Sequence, residues 1–467
     1  MAATPSAAPS RHWGLPPKWP VVLANRFEAF CEHIAPCFQT KTRDGRAYGF
    51  AYLKSQLRLE SARTFTSIAH DSQVPPQNMQ HFMSNSPWSA AGAMELIQQD
   101  LMTIPALRHG SVLIVDEMAD EKAGDHSAVA GLQYNGRIHR VTMSQVGVFA
   151  AYANVDQRLW TWVDGELYLP ETWFDEAHAA LRRRLGIPEQ RRFADKIELA
   201  WHMIQRLKAR GLPFDLVACD DLYGSHKWFR LALIQAQILY MADVPSNTQV
   251  FLQPPQWEGH LATHYTVAVK QVPALPDTVH HRVTLRSTER GVLANEYFIR
   301  RIWTQLPDGV YAEWLIVRRE VDGHLSYTLS NAPAETAFEQ LARWQCQRYF
   351  VERTNQDAKS ELGFDDFCAQ KYTAWQHQLA LTALAAWFVA RTKWEWAQAY
   401  PQDTTLSQEF ASDQLPRLSM RNIRLMLRAV FPVEPLNPYQ TEARILEHLV
   451  GRARARRSRC KPASAPS

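Results

Sequence analysis

Ser111-Val112-Leu113-Ile114-Val115-Asp116 is an unbroken apolar run that ends in a carboxylate. A strand buried on both faces reads this way, so the run predicts the centre of a sheet. Phe214-Asp215-Leu216-Val217-Ala218-Cys219-Asp220 repeats the pattern. Between them, residues 140–152 and 159–169 are strand-like. Residues 192–210 predict a helix whose apolar stripe is Ile197, Leu199, Ala200, Met203, Ile204 and Leu207. A helix over 227–237 and a strand over 238–242 follow. Three strands, helix, strand, helix, strand is the order of a mixed α/β layer. A carboxylate ending a buried strand carries a desolvation cost unless a cation neutralises it. If the two strands are neighbours, Asp116 and Asp220 face one crevice.

The whole chain has 467 residues and a mass of 53.5 kDa, enough for two to four domains at roughly 100–200 residues each. Hydrophobic residues are 46% and charged residues 21%, which excludes a mostly disordered chain. The longest nearly apolar run, residues 379–390, is shorter than the roughly 20 residues a membrane span needs, so no membrane association is expected. The six cysteines form no C-x2-C pair, and a reducing cytoplasm is expected. The net charge is +4. Residues 417–461 hold eleven Lys or Arg against Glu434, Glu442 and Glu447, a local +8, so the remainder sums to −4. A basic end beside a carboxylate-rich middle suits phosphate binding at the edge and cation binding at the centre, although a basic solubilising tail reads the same.

Residues 18–105 read as helices. Within them, residues 63–71, the turn Ser72-Gln73-Val74 and a helix from Pro75-Pro76 to Met83 have helix-turn-helix spacing. Gln77, Asn78, Gln80 and His81 fall on the exposed side of the second helix. Two helices and a tight turn also occur in many helical domains that bind nothing. Residues 245–334 hold short strands, including a hairpin of 311–320 and 324–330 around Asp322-Gly323. The chain is helical again over 335–361, 374–398 and 407–449. Arg417, Arg421, Arg424 and Arg428 recur on one helical face, with Leu418, Leu425, Met426 and Val430 on another. That stripe suits a DNA backbone, or is a solvated face.

A third acid lies in Arg348-Tyr349-Phe350-Val351-Glu352, which continues to Asp357-Ala358-Lys359. At about 100° per residue, Arg348, Glu352 and Lys359 share roughly 40° of arc. One face then offers a carboxylate between two cations: the acid completes a metal site and the cations clamp phosphate oxygens. An intrahelical Glu–Arg pair on a solvated face is the alternative.

These blocks together resemble the DDE-type transposases of bacterial insertion sequences, in the branch whose third block reads Tyr-x2-Arg-x3-Glu-x6-Lys. Insertion sequence family 701 is the most similar group. The likeness runs from Leu113–Glu117 through Gly124-Asp125-His126-Ser127, Leu132-Gln133-Tyr134 and Leu167–Trp173, then Cys219–Gly224 and Arg348–Gly363. Gln345 departs from it, standing where that branch often has tyrosine.

The resemblance implies an α/β RNase H-like catalytic core with a β-rich insertion, an N-terminal all-α domain and C-terminal helices. Residues 1–106 would be the DNA-binding domain, 107–244 and 335–400 the two parts of the core, and 245–334 the insertion. Residues 401–467 would be a basic helical region and a disordered tail. It also implies that Asp116, Asp220 and Glu352 are catalytic and hold two Mg2+ ions, with Mn2+ as a substitute and Asp116 bridging. Arg348, Lys359 and Tyr349 would contact DNA phosphates. His126 is a candidate auxiliary group, or a structural histidine. Glu117 and Asp120, close to Asp116 in sequence, are expected to matter far less. The partner implied is double-stranded DNA, both element ends and target, bound as a homodimer at the bacterial nucleoid. A regulator without catalysis, or a nuclease that does not integrate, are the alternatives.

Overall fold

The computed structural model describes residues 14–122, 124, 127–135, 140–258, 261–262, 265–288, 291–320, 322–403, 405 and 417–432, with isolated positions beyond. The chain divides into two units, Met1–Val430 and Phe431–Ser467. Every element below lies in the first. The basic tail over 451–467 and His126 lie outside the described residues.

The apolar run at Ser111 begins strand β1 (Ser111–Glu121), which continues past Asp116 for five further residues. Next come β2 (Gly131–Asn135), β3 (Arg140–Asn154) and β4 (Leu159–Leu167). After the short helix α6 (Ala179–Leu185) stands α7 (Lys196–Ala209), whose start is fixed by a reciprocal cap between Asp195 and Glu198. Strand β5 (Leu216–Cys219), the one-turn helix α8 (Asp221–Gly224), helix α9 (Lys227–Gln235) and strand β6 (Leu239–Asp243) complete the alternation. β1 pairs antiparallel with β3 and parallel with β5, and β5 is parallel to β6. The sequence missed β2, so Asp220 follows the fifth strand rather than the fourth.

Four short strands, β7 (Gln249–Val250), β8 (Trp257–Glu258), β9 (Leu261–Ala262) and β10 (Val267–Ala268), precede the long antiparallel strands β11 (His281–Thr288), β12 (Gly291–Leu306), β13 (Gly309–Arg319) and β14 (Leu325–Ser330). The β13–β14 hairpin turns at Asp322-Gly323, where Gly323 takes the left-handed φ of 87° that a side chain disfavours. β14 pairs with β6 through Leu329↔Ala242 and Thr328↔Asp243. The β-rich segment therefore continues the core sheet, giving ten strands in the order β11-β12-β13-β14-β6-β5-β1-β3-β2 with β4 on β3. Phe298, Ile302, Leu315, Val317 and Leu329 give it an apolar core of its own.

The N-terminal helices are α1 (Trp19–Ile34), α2 (Arg46–Arg58), α3 (Phe65–Asp71), α4 (Pro76–Ser84) and α5 (Ala90–Met102). The later ones are α10 (Phe338–Gln345), α11 (Tyr349–Gln356), α12 (Tyr372–Ala399) and α13 (Met420–Val430). Helix α12 packs on β4 with one side and on α2, α4 and α5 with the other. That is why residues 379–390 are apolar all round: the helix is sandwiched, not amphipathic. Among the described residues no helix is long and apolar enough to cross a membrane. Several of the polar groups buried in this contact are paired. Trp387 Nε1 donates to Asp100 (2.7 Å), Gln56 Nε2 to Thr382 (2.9 Å), and Tyr52 Oη to Gln378.

Candidate active site

Strand register brings the first two acids together. Val115 is paired with Cys219, and Cys219 with Ala242. The next residue on each chain is therefore Asp116, Asp220 or Asp243, three carboxylates side by side at one edge of three parallel strands. Asp243 was legible in the same way, as the acid ending the run Leu239-Tyr240-Met241-Ala242, but sequence reasoning passed over it. Asp220 caps α8, its Oδ1 accepting the Leu222 N–H (3.1 Å), and Asp116 Oδ1 accepts the Glu117 N–H (2.8 Å). Gly224 closes this turn against β6: a Cβ there would lie 2.0 Å from the Asp243 carbonyl oxygen, so only glycine lets the turn after Asp220 pack this tightly on β6.

Ligand oxygens of Asp116, Glu117 and Asp220 lie within 4.8 Å of one another. Glu117 is thus in the cluster, against the expectation that it would stand apart. Asp120 does stand apart, in an ion pair with Lys122 (2.5 Å). Glu352 lies outside the three and is joined to them through Arg348. The Arg348 guanidinium contacts Glu352 at 3.0 Å and Asp243 at 2.9 Å. Burial opposes the charge of Arg348, but Asp243, Glu352, Asp116 and Asp220 outweigh it and push its pKa up. The Glu352 side chain is 53% exposed.

Lys359 is not where an α-helical count puts it. Residues Asp357–Glu361 form a π-helical turn, which rotates Lys359 away from the α-helical face, and its Nζ donates to the Ala119 carbonyl of β1 (3.0 Å). Tyr349 is 45% exposed beneath the Arg286 guanidinium, 5.0 Å from its ring centre. Gln345 is buried and bonds Arg318 (3.2 Å) and Thr328 (3.3 Å).

The helix pair α3–α4 has the expected bounds, and Gln77, Asn78, Gln80 and His81 are all exposed, over a buried Met79, Phe82 and Met83. The arginine stripe divides. Arg417 and Arg421 are exposed, but Arg424 is buried, donating to the Leu57 and Leu59 carbonyls and to Glu361 (2.6 Å). Arg428 pairs with Glu60. The buried face of α13 is Met420, Ile423 and Leu427, and Leu425 is exposed, so the stripe read as one surface is partly core. Arg424 serves the fold, its guanidinium taken up by those contacts rather than presented to DNA.

Electrostatics at the cluster favours a bound cation. Burial, then Asp220 and Glu117, push Asp116 well above the usual carboxylate range. Burial, then Glu117, push Asp220 up to about 7. Two oxygens amid these acids, Glu117 Oε2 and the Tyr223 hydroxyl, are buried without a well-formed hydrogen bond, the hydroxyl turned to the Glu117 carboxylate. Hard carboxylate oxygens converging in this way fit a divalent cation such as Mg2+ or Mn2+. The raised Asp220 value sets a sign. Without a cation, its contribution to stability is full below the unfolded value of 3.8 and is lost as pH rises through about 7. The melting temperature of EDTA-treated protein is therefore expected to fall between pH 5 and pH 8, and Mn2+ to restore it at pH 8. Asp220→Asn should weaken the pH response, leaving the part that Asp116 contributes, and remove the Mn2+ response; an Mn2+ response retained in that variant would contradict the assignment.

The family model described as DDE superfamily endonuclease matches residues 33–296. A curated relative, the probable transposase for insertion sequence element IS701 of Microchaete diplosiphon, is 29% identical over 187 residues. That alignment covers 38% of this chain and 43% of the relative, so the chain spans less than half of the relative's length.

Proposed function

Because the matching family model covers more than half of its length, the chain belongs to the DDE superfamily endonucleases, and from that premise we propose that it is a transposase acting on the ends of its own insertion sequence. The family implies an RNase H-like core and divalent-metal chemistry. The observation that carries the reading is the register that sets Asp116 beside Asp220, with Arg348 spanning from Asp243 to Glu352.

Asp116, Asp220 and Glu352 would hold two Mg2+ ions, with Mn2+ able to replace them. Bound there, the ions stabilise charge on the attacking and leaving oxygens of an in-line phosphodiester displacement. Arg348 holds Glu352 close to the two aspartates and presents a guanidinium to a DNA phosphate. Lys359, anchored on β1, supports that strand and the phosphate beyond it. Tyr349 and Arg286 form an exposed aromatic and cationic platform beside them. Helix α4 reads the terminal repeats through Gln77, Asn78, Gln80 and His81, and Arg417 and Arg421 add backbone contacts. The protein acts as a homodimer on double-stranded DNA at the nucleoid of a bacterial cytoplasm, where it cuts and then joins strands. In this reading the N-terminal helices bind, the two parts of the core cut, and the β-rich segment over 245–334 supports the substrate.

The binding half is tested by gel shift of the full chain on a duplex carrying the element's own end. The logarithm of affinity should fall linearly with the logarithm of salt concentration, since Lys and Arg contacts release counterions. Replacing Gln80 and His81 by alanine should cut the preference for the true end over a scrambled duplex by about tenfold or more. The salt slope should stay the same, because the variant keeps the Lys and Arg side chains that would contact phosphates. An unchanged preference would remove α4 as the reading element.

A further inference from the structure

Glu117 follows Asp116 on a strand, and successive side chains of a strand point to opposite faces. Its carboxylate nonetheless reaches the cluster of Asp116 and Asp220. Its two oxygens have different surroundings. Oε1 accepts from Lys196 Nζ at 3.2 Å, from the start of α7. Oε2 is buried and has no hydrogen-bond partner. Beside it, Tyr223 is completely buried, with its hydroxyl turned to the Glu117 carboxylate but no well-formed hydrogen bond between them. The charges around that hydroxyl are Glu117, Asp116 and Asp220. A carboxylate oxygen and a phenol set together among acids without a well-formed hydrogen bond cost free energy that ordinary core packing would not retain.

We propose that Glu117 is a fourth carboxylate of the metal centre and that Tyr223 is the residue that positions it. Lys196 holds Oε1, Oε2 is left for a divalent cation, and the phenol hydroxyl at the cluster fixes where that oxygen sits. Tyr223 sits on the one-turn helix that Asp220 caps, so one short segment supplies a ligand and orients another. The inference rests on the metal-dependent reading given above.

Mn2+ binding to the full chain, followed by calorimetry without DNA, tests it. Glu117→Gln keeps the size and loses the charge; Tyr223→Phe keeps the buried ring and loses the hydroxyl. Each should weaken Mn2+ binding by about tenfold or more, as loss of ligands or of the groups that orient them does. Lys196→Met should bind Mn2+ as tightly as the parent, or more tightly, because it removes a competing cation. Asp221→Asn, beside Asp220 but outside the cluster, should bind as the parent does. Parent affinity in Glu117→Gln, with Asp116→Asn losing Mn2+, overturns this proposal and leaves the metal site standing. Parent affinity in Asp116→Asn removes the metal reading and this proposal together. A loss in Lys196→Met equal to that in Glu117→Gln would mean that Glu117 serves only the ion pair, which also overturns it. Should Glu117→Gln fail to fold, Tyr223→Phe decides: parent affinity there overturns the proposal.

Discussion

Asp116→Asn should lower cation-dependent cleavage of the element's end by several orders of magnitude while leaving end binding unchanged. The amide has the size of the carboxylate but not its charge, so the cluster would lose a central ligand for the cations that stabilise both reacting oxygens. Binding survives because α4 and the exposed arginines are remote in sequence and chemistry from the acids. The variant also supplies its own control for folding. Asp116 is buried among like charges that push its pKa up, so neutralising it should not lower the melting temperature of the metal-free protein. Asp120→Asn, whose carboxylate pairs with Lys122, should cut far better than Asp116→Asn. Cleavage by Asp116→Asn at the parent rate would contradict the assignment.

The largest stability effect is expected away from the acids, at Glu313. Its side chain is fully buried on β13, accepts from the hydroxyls of Tyr240 and Thr304, and lies 3.5 Å from the Arg230 guanidinium. Arg230 also donates to the Gly224 carbonyl at the end of the turn that carries Asp220. Glu313→Ala would leave a buried guanidinium uncompensated, at a cost of about 3–5 kcal/mol. The exposed pair Arg319–Glu296, at 3.1 Å, should be worth less than about 1 kcal/mol by the same measurement, because water screens it. Equilibrium unfolding in urea checks both. Equal effects would mean that Glu313 does not carry the junction between the β-rich segment and the core.

What the sequence disclosed depended on how directly a pattern maps onto burial. The runs ending in Asp116 and Asp220 were legible because a doubly covered strand has no polar position to lose. Helices α3 and α4 were legible because Thr64 caps one and Pro76 opens the other. The run over 379–390 was too short for a membrane span, and it lies in α12, a helix covered on both sides by protein. Lys359 was misplaced because one π-helical turn shifts every later side chain, and no residue in Asp357-Ala358-Lys359-Ser360-Glu361 announces it. Arg424 was misread because a long side chain can run its stem along a core and still reach carbonyl oxygens, so an arginine stripe need not be a surface. Strands β11 and β12 were hidden by their own charge, since His281, Arg282, Arg286, Arg300 and Arg301 interrupt any apolar alternation. Glu117 was expected to matter far less than Asp116, but strand alternation says where an ideal side chain starts and not where a long one ends.

Cleavage by the unaltered chain at its own element's boundary decides between a transposase and a DNA-binding regulator. The measurement is incubation of the full chain with an end-labelled duplex spanning that boundary, with Mg2+, with Mn2+ and with EDTA, and mapping of the products. The account predicts a cut at the element end that leaves a 3′-hydroxyl, present with either cation and absent with EDTA. Tight binding of the same duplex with no cleavage under Mg2+ or Mn2+ would contradict it, and would leave a DNA-binding regulator on an endonuclease fold.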